Sequence, residues 1–222
     1  MTGGPREQTA NRPTTGGNTT HDVAEGGNIM NKKILVLAAV AALGLAVVQP
    51  ASSAEDIMKY AINKPSTSWN LYGPGQTNSY VKDKAVAGGG GLRVQVATAT
   101  PDKPWTIGAS QAVQGKITKG DVLMVAFYAK AEPVEGGAAS GTVSAVRVQQ
   151  AAEPWGGIVE GAPIAITGSD WKIYTSRGRA TMDAEKGQAS VSLQLAGAKQ
   201  TLVLGPLFVL DFGADYDPKK FE

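Results

Sequence analysis

Apolar and polar residues alternate with a period of two in three stretches of this chain, the spacing of a strand with one face in a core and the other in water. In residues 92–96, Leu92, Val94 and Val96 share one face and Arg93 and Gln95 the other. Along residues 142–150, Val146 and Val148 oppose Arg147 and Gln149. Along residues 188–196, Val191, Leu193 and Leu195 oppose Ser190, Ser192 and Gln194. A fourth stretch, residues 122–129, is almost wholly apolar and ends in Phe127 and Tyr128, as a strand buried on both faces would be. Lys119-Gly120-Asp121 is the turn that feeds it. Shorter runs at residues 68–75, 170–176 (led by Trp171, with Ile173 on the same face), 202–204 and 206–212 bring the set to about eight or nine strands with no helical crossover between them. Only residues 55–63 have helical character. The pattern predicts an antiparallel sandwich or barrel in one domain.

The chain ahead of this pattern reads differently. Asn31-Lys32-Lys33 is basic, residues 34–48 are an apolar run of 15, Gln49-Pro50 breaks it, and Ser52 and Ala54 are small residues suited to cleavage before Glu55. Residues 30–54 are therefore expected to be a secretory signal peptide. The run is shorter than the roughly 20 residues that a membrane anchor needs. Residues 1–29 are rich in Gly, Thr and Asn without apolar periodicity; they are either a disordered extension or an artefact of start-site choice, with translation beginning at Met30. Residues 55–222 are the expected folded domain, periplasmic or secreted, monomeric and free of the membrane once the signal is removed.

Composition narrows the chemistry. The chain has no cysteine, and its one histidine, His21, precedes the signal. Disulfides, Cys/His zinc sites, Ser-His-Asp triads and Cys-His dyads are excluded from the mature chain. From Glu55 onward 17 basic residues face 16 acidic ones. With no concentrated basic patch, nucleic acid is not an expected partner. Arg177/Arg179 and Lys219/Lys220 read as solvated ends.

Two tryptophans follow prolines, Trp105 after Pro104 and Trp155 after Pro154. Arg147, Gln149 and Gln194 fall on polar strand faces, and Gln111 and Gln114 follow Trp105 closely. Flat rings beside planar, multidentate amides suit a ligand made of hydroxyls, because pyranose rings stack on aromatic faces while their hydroxyls bond to amides.

The order PWTIGASQ, KGDVLMVAFYAKA, VRVQQ, PW, WKIYT, ASVSLQLAGAKQTL and LGPLFVLDFG resembles the carbohydrate-binding modules of families 4, 9 and 22, over roughly residues 69–213. The resemblance implies a galactose-binding-like jelly roll and non-catalytic binding of a plant-type polysaccharide or oligosaccharide such as xylan or β-glucan, in a cleft on one sheet. Trp105 and Trp155 become stacking platforms and Arg147, Gln149, Gln194 and Gln111 hydrogen-bonding groups. Trp171 and Phe127 are assigned to the core. The resemblance also places Asp211 where many such modules hold a structural calcium. The Asn-Gly-Gly-Phe-Glu opening that supplies its partner is missing, with Glu55 or Asp56 as substitutes, so the expected cofactor is none or this one calcium.

Two other readings stand beside it. A polysaccharide hydrolase would need two carboxylates facing each other across a cleft. Glu132/Glu135 and Asp183/Glu185 lie in loops, and the Glu-x-Asp-x-x-Glu strand of jelly-roll glucanases is absent. A lyase would recruit Arg147, Gln149 and Tyr128. A structural or protein-binding sandwich would show buried prolyl tryptophans and a polar sheet face with no cleft.

Overall fold

The computed structural model describes residues 57–221. The expected signal peptide, the segment before it, and Glu55 and Asp56 lie outside the described residues. In chain order the strands are β1 (Asn70–Tyr72), β2 (Gln76–Lys82), β3 (Gly90–Val96), β4 (Gly108–Val113), β5 (Val122–Glu132) and β6 (Ser140–Val143). They continue with β7 (Ala145–Gln150), β8 (Gly157–Glu160), β9 (Ile164–Thr167), β10 (Lys172–Arg179), β11 (Ala189–Gln194) and β12 (Gln200–Asp211).

Ten of these strands make two antiparallel five-stranded sheets, one in the order β1-β4-β11-β7-β8, the other β10-β5-β12-β3-β2, while β6 and β9 pair separately. Their apolar faces meet in one core that holds Val94, Phe127, Val148, Leu193 and Leu204. This is the antiparallel sandwich expected from the alternation, and the all-β jelly roll that the resemblance implies. The expected strand at residues 142–150 is broken at Ser144, whose N–H donates to the Gln194 carbonyl. The piece before the break, β6, leaves the sheet to pair with β9.

Strand β5 is buried on both faces, as its composition demands: Phe127 and Ala129 point into the core, and Met124, Ala126 and Tyr128 point outward yet remain covered. Val86 and Trp171 lie over Tyr128 at one end, against Gly205. At the other end Tyr60, Phe212, Tyr216 and Phe221 form a continuous set of ring contacts with centroids 4.7–5.0 Å apart. One expectation gains a role and another is corrected here. Arg177 and Arg179 are exposed, as expected, but not idle: Arg177 stacks on Phe221 and donates to its carbonyl, and Arg179 donates to the carbonyls of Gly120, Ala214 and Tyr216, pinning the C-terminal segment. Trp171 is not in the core between the sheets. It packs half-buried on the outer face, its Nε1 donating to Asp83 and Lys130 sitting 4.8 Å from its ring centroid.

Strand β12 changes partner halfway. It pairs with β3 as far as Leu204; a bulge follows, and beyond it Asn63 takes the place of a strand, its amide donating to the Leu207 carbonyl and accepting from the Val209 N–H. One buried side chain thus satisfies two backbone groups that would otherwise lack partners at the sheet edge.

Candidate functional site

The outer face of the sheet containing β11 carries the polar halves of the alternating strands. Register fixes which residues are neighbours. Asn70 on β1 pairs with Ser110 on β4, Ser110 with Ser192 on β11, Ser192 with Arg147 on β7, and Arg147 with Glu160 on β8. Five polar side chains therefore form a row across the sheet, on the face opposite Ala109, Val148 and Leu193. A second row runs Tyr72, Gly108, Gln194 and Ala145, and a third places Ala112, Ser190 and Gln149 side by side.

Tyr72 joins the first two rows. Its ring lies across Gly108, where a Cβ would collide with the phenol, and its hydroxyl shares a 2.7 Å hydrogen bond with Ser192 Oγ. Glycine at 108 is thus required by a close approach. Arg147 is held from three sides. Its Nε reaches both Glu160 oxygens at 2.9 and 2.8 Å, its Nη2 reaches Glu160 Oε1 at 2.7 Å, and its Nη1 donates to Gln149 Oε1 at 3.0 Å. The Glu160 hydrogen bonds raise the Arg147 pKa further above its ordinary range, against the opposing effect of burial. The pair leaves this face with no net charge. Gln149's NH2 and the Gln194 amide have no hydrogen-bond partner among the described residues; both lie on the outer face near Arg147, Gln149 part-exposed and Gln194 only 7% exposed.

Both prolyl tryptophans are exposed, Trp105 at 53% and Trp155 at 46%. Trp105 sits in a 3-10 turn, Pro104–Thr106, at the Gly108 end of β4. Trp155 sits in the loop between β7 and β8, and its carbonyl receives Arg147 Nη2 at 3.5 Å. Its φ of +57° is a left-handed conformation that a bulky residue adopts at a cost, so the loop holds the ring out against local strain. Arg147, Gln149 and Trp155 are brought together; Gln194 lies toward the other end of the sheet, opposite Gly108 and Ala145. Trp105 is not among them: it stands at the other end of strands about 16 Å long.

Gln111 departs from its expected place. It shares the parity of Ala109 and Val113 on β4, so it faces inward at the sandwich edge, 8% exposed, with its Nε2 donating to the Ser66 carbonyl at 2.8 Å. Tyr72, Ser192 and Glu160 complete the polar face; Tyr72 stands in the sequence as a weaker aromatic candidate than Trp105 and Trp155, whereas Ser192 and Glu160 do not stand out there as ligand groups. Alternation within residues 188–196 pointed to Ser192. Glu160 had only a four-residue strand to announce it.

The acids considered for catalysis lie elsewhere. Glu132 pairs with Arg93, Glu135 with Lys199 and Glu185 with Lys116, and Asp183 accepts the Lys119 N–H. Glu160 is the one carboxylate in the rows just described.

Asp211 is beside Asp121. Burial pushes its carboxyl above the ordinary range, a hydrogen bond from the Gly213 N–H opposes this, and the charge and hydrogen bond of Asp121 add to the rise. Each carboxylate already accepts a backbone N–H, Gly213 on one and Thr118 on the other. Calcium takes about six or more oxygens, and no group of three or more acidic or imidazole side chains occurs among the described residues. Within the described residues, two carboxylates sharing hydrogen bonds with their own turns do not make that donor set.

Neither a family model nor a curated protein sequence matches the chain. Among solved structures, the CBM22-1 and GH10 modules of endo-1,4-beta-D-xylanase 10B from Clostridium thermocellum, complexed with xylohexaose, superpose with a TM-score of 0.51 at 11% identity, covering 68% of this chain and 29% of that one. The chain shares the β-sandwich fold found in this xylanase structure. The C-terminal family 22 module of the same xylanase gives a TM-score of 0.48 at 14% identity, covering 71% of this chain and 97% of that one. A family 4 module gives 0.47 at 16% identity, covering 64% and 94%.

Proposed function

We propose that the chain is a non-catalytic carbohydrate-binding module, exported through residues 30–54 and acting as a monomer, that binds a neutral plant-type polysaccharide such as xylan or β-glucan across the outer face of the β1-β4-β11-β7-β8 sheet. One observation carries the reading: an exposed tryptophan, held in a strained backbone, stands beside Arg147 and Gln149 at one end of a sheet face that also carries Tyr72, Ser192 and Gln194. Trp155 supplies the stacking plane, Gln149 and Gln194 the free amides, and Tyr72 and Ser192 the hydroxyls. Arg147 sets their positions, with its charge cancelled by Glu160. Trp105 extends the surface at its far end. The xylohexaose complex of the similarly folded xylanase modules supports a β-linked pentose chain as ligand. A protein-interaction sandwich is disfavoured by the exposure of both tryptophans.

Affinity electrophoresis through gels containing xylan, mixed-linkage glucan, laminarin or pectin tests this. Retardation by a neutral glucan or xylan, abolished in Trp155→Ala, is the expected result. Free migration of the folded protein in every gel overturns it.

A further inference from the structure

The row of polar residues does not stop at β1. Strand β1 covers β4 only from Gly108 to Ser110, and beyond it the edge of β4 is crossed by the segment that leads from Ile62 to Trp69. Between them lies an open cavity of about 420 Å³ whose walls include Lys64, Ser66, Asn70, Ser110, Gln111 and Gln114. Asn70 and Ser110 belong both to this cavity and to the row that ends at Arg147 and Glu160, so the two surfaces are continuous.

Three features make it a site. Gln111 is more than nine-tenths buried, and its Nε2 is committed to the Ser66 carbonyl. That bond fixes the amide orientation, because an oxygen in its place could not donate. Its Oε1 has no partner among the described residues, yet no buried side-chain oxygen or nitrogen is left unpaired and enclosed. The oxygen is therefore open to the cavity, an acceptor waiting for a hydroxyl. Next, Asn70 and Ser110 bond each other only at 3.5 and 3.3 Å, which leaves both free to turn to a ligand. Finally, Lys64 is the only charged residue in the wall, and it forms no ion pair among the described residues. Its backbone is anchored by its N–H donating to Gln114 Oε1 at 2.7 Å.

We propose that this cavity is a second sugar subsite that receives an acidic branch, a uronate, from the polysaccharide whose main chain crosses the outer face. Gln111 Oε1 accepts a branch hydroxyl, Asn70 and Ser110 bind at the branch point, and the Lys64 ammonium meets the carboxylate. The inference rests on the carbohydrate-binding reading. It divides the ligand by charge, with an uncharged main chain where Arg147 and Glu160 cancel and a negative branch where Lys64 stands alone.

Calorimetric titration with linear xylohexaose and with a xylo-oligosaccharide of the same length carrying one glucuronate branch, at low and at high NaCl, tests the proposal. The expected result is a preference of about two- to fivefold for the branched ligand at low salt, the worth of one exposed ion pair. The preference disappears in high salt and in Lys64→Met, and reverses in Lys64→Glu, while affinity for the linear ligand is unchanged. Both lysine variants alter an exposed side chain and leave the core intact. Equal affinity for the two ligands in the wild type, or a preference that survives Lys64→Met, overturns the branch site and leaves the outer face standing. Binding of neither ligand overturns the branch site, and the carbohydrate reading falls with it when no polysaccharide gel retards the protein.

Discussion

The sandwich has two outer faces, and each carries a tryptophan, a cation and a carboxylate put to opposite uses. On the β5 side, Trp171 donates its Nε1 to Asp83, Lys130 covers its ring and also bonds Asp83 at 2.9 Å, and Gly91 and Gly205 make room for its edges. That indole is half-buried, with its Nε1, one ring face and two of its edges in contact. On the β11 side, Arg147 and Glu160 satisfy each other, and Trp155 gives Arg147 only a backbone carbonyl while its ring stays in water. The same three kinds of side chain close one face and leave the other open. What separates a packing tryptophan from a presented one is whether its neighbours contact the ring or the main chain beneath it.

Truncating the two rings should break this comparison most sharply. Trp171→Ala is expected to cost about 2–4 kcal/mol of stability, somewhat below the usual range for a fully buried ring, and to leave glycan binding intact, as read by denaturant unfolding and gel retardation. Trp155→Ala is expected to do the reverse, weakening binding about 10- to 100-fold with little change in midpoint. Were the two variants to exchange phenotypes, the assignment of faces would be wrong.

Relief of strain gives a smaller and more pointed effect. Glycine tolerates the φ of +57° that Trp155 adopts. Trp155→Gly should therefore gain about 1 kcal/mol, a rise of roughly 2–4 °C in Tm, in a variant that no longer binds. A fall in Tm would show that the ring contributes packing.

The closed face should also show itself in acid. Hydrogen bonds from Lys130, the Ala85 N–H and Trp171 hold the Asp83 carboxyl at about 2, down from 3.8. Because the folded value is depressed, the stability it contributes is complete above the unfolded value and disappears as pH falls through that window. Asp83→Asn should flatten the pH dependence of Tm between those two values and lower Tm at neutral pH. Unchanged acid sensitivity would remove Asp83 from the account.

The smallest effect belongs to Asp211, whose shift has the other sign. Folding favours its protonated form, so its contribution to stability falls as pH rises and recovers in acid. Asp211→Asn keeps the acceptor for the Gly213 N–H and removes the charge beside Asp121. It should raise Tm at neutral pH by about 1–2 °C, since only a fraction of a kcal/mol is at stake in a half-exposed site. A calcium-dependent rise in Tm of the wild type that is lost in this variant would show a metal site completed by residues beyond those described.

The strands were legible wherever bulky residues marked the period. Val191, Leu193 and Leu195 could face only one way, and from that parity followed the outward placement of Ser192 and Gln194. The edge of the site was harder to read for a related reason. In Gly108-Ala109-Ser110-Gln111-Ala112-Val113 the small residues on both faces erase the period, so the face that Gln111 takes cannot be read from it. Trp171 looked like core because a large ring beside a strand usually is, and nothing in Ser-Asp-Trp-Lys announces an aspartate 88 residues upstream as its partner. The break at Ser144 was hidden too, since its cause is a carbonyl on another strand. Local pattern specifies which face a side chain takes; the partners that give it a task come from pairings far along the chain.

The ring cluster that fastens the termini also sets how the molecule can be attached to anything else. Tyr60 and Phe221 belong to the same aromatic group, and Phe221 lies over Arg177 on the outward side of β10, the β5 side of the sandwich. Tyr60 and Phe221 are therefore held on one side of the sandwich, with the whole thickness of two sheets between them and Trp155. A tether, an immobilising tag or a fused enzyme joined just before Ile57 or just after Phe221 would begin on the side opposite Trp155 and the proposed sugar face. Closing the two ends with a short linker and reopening the chain in a loop would make a permuted protein whose sugar face is unaltered.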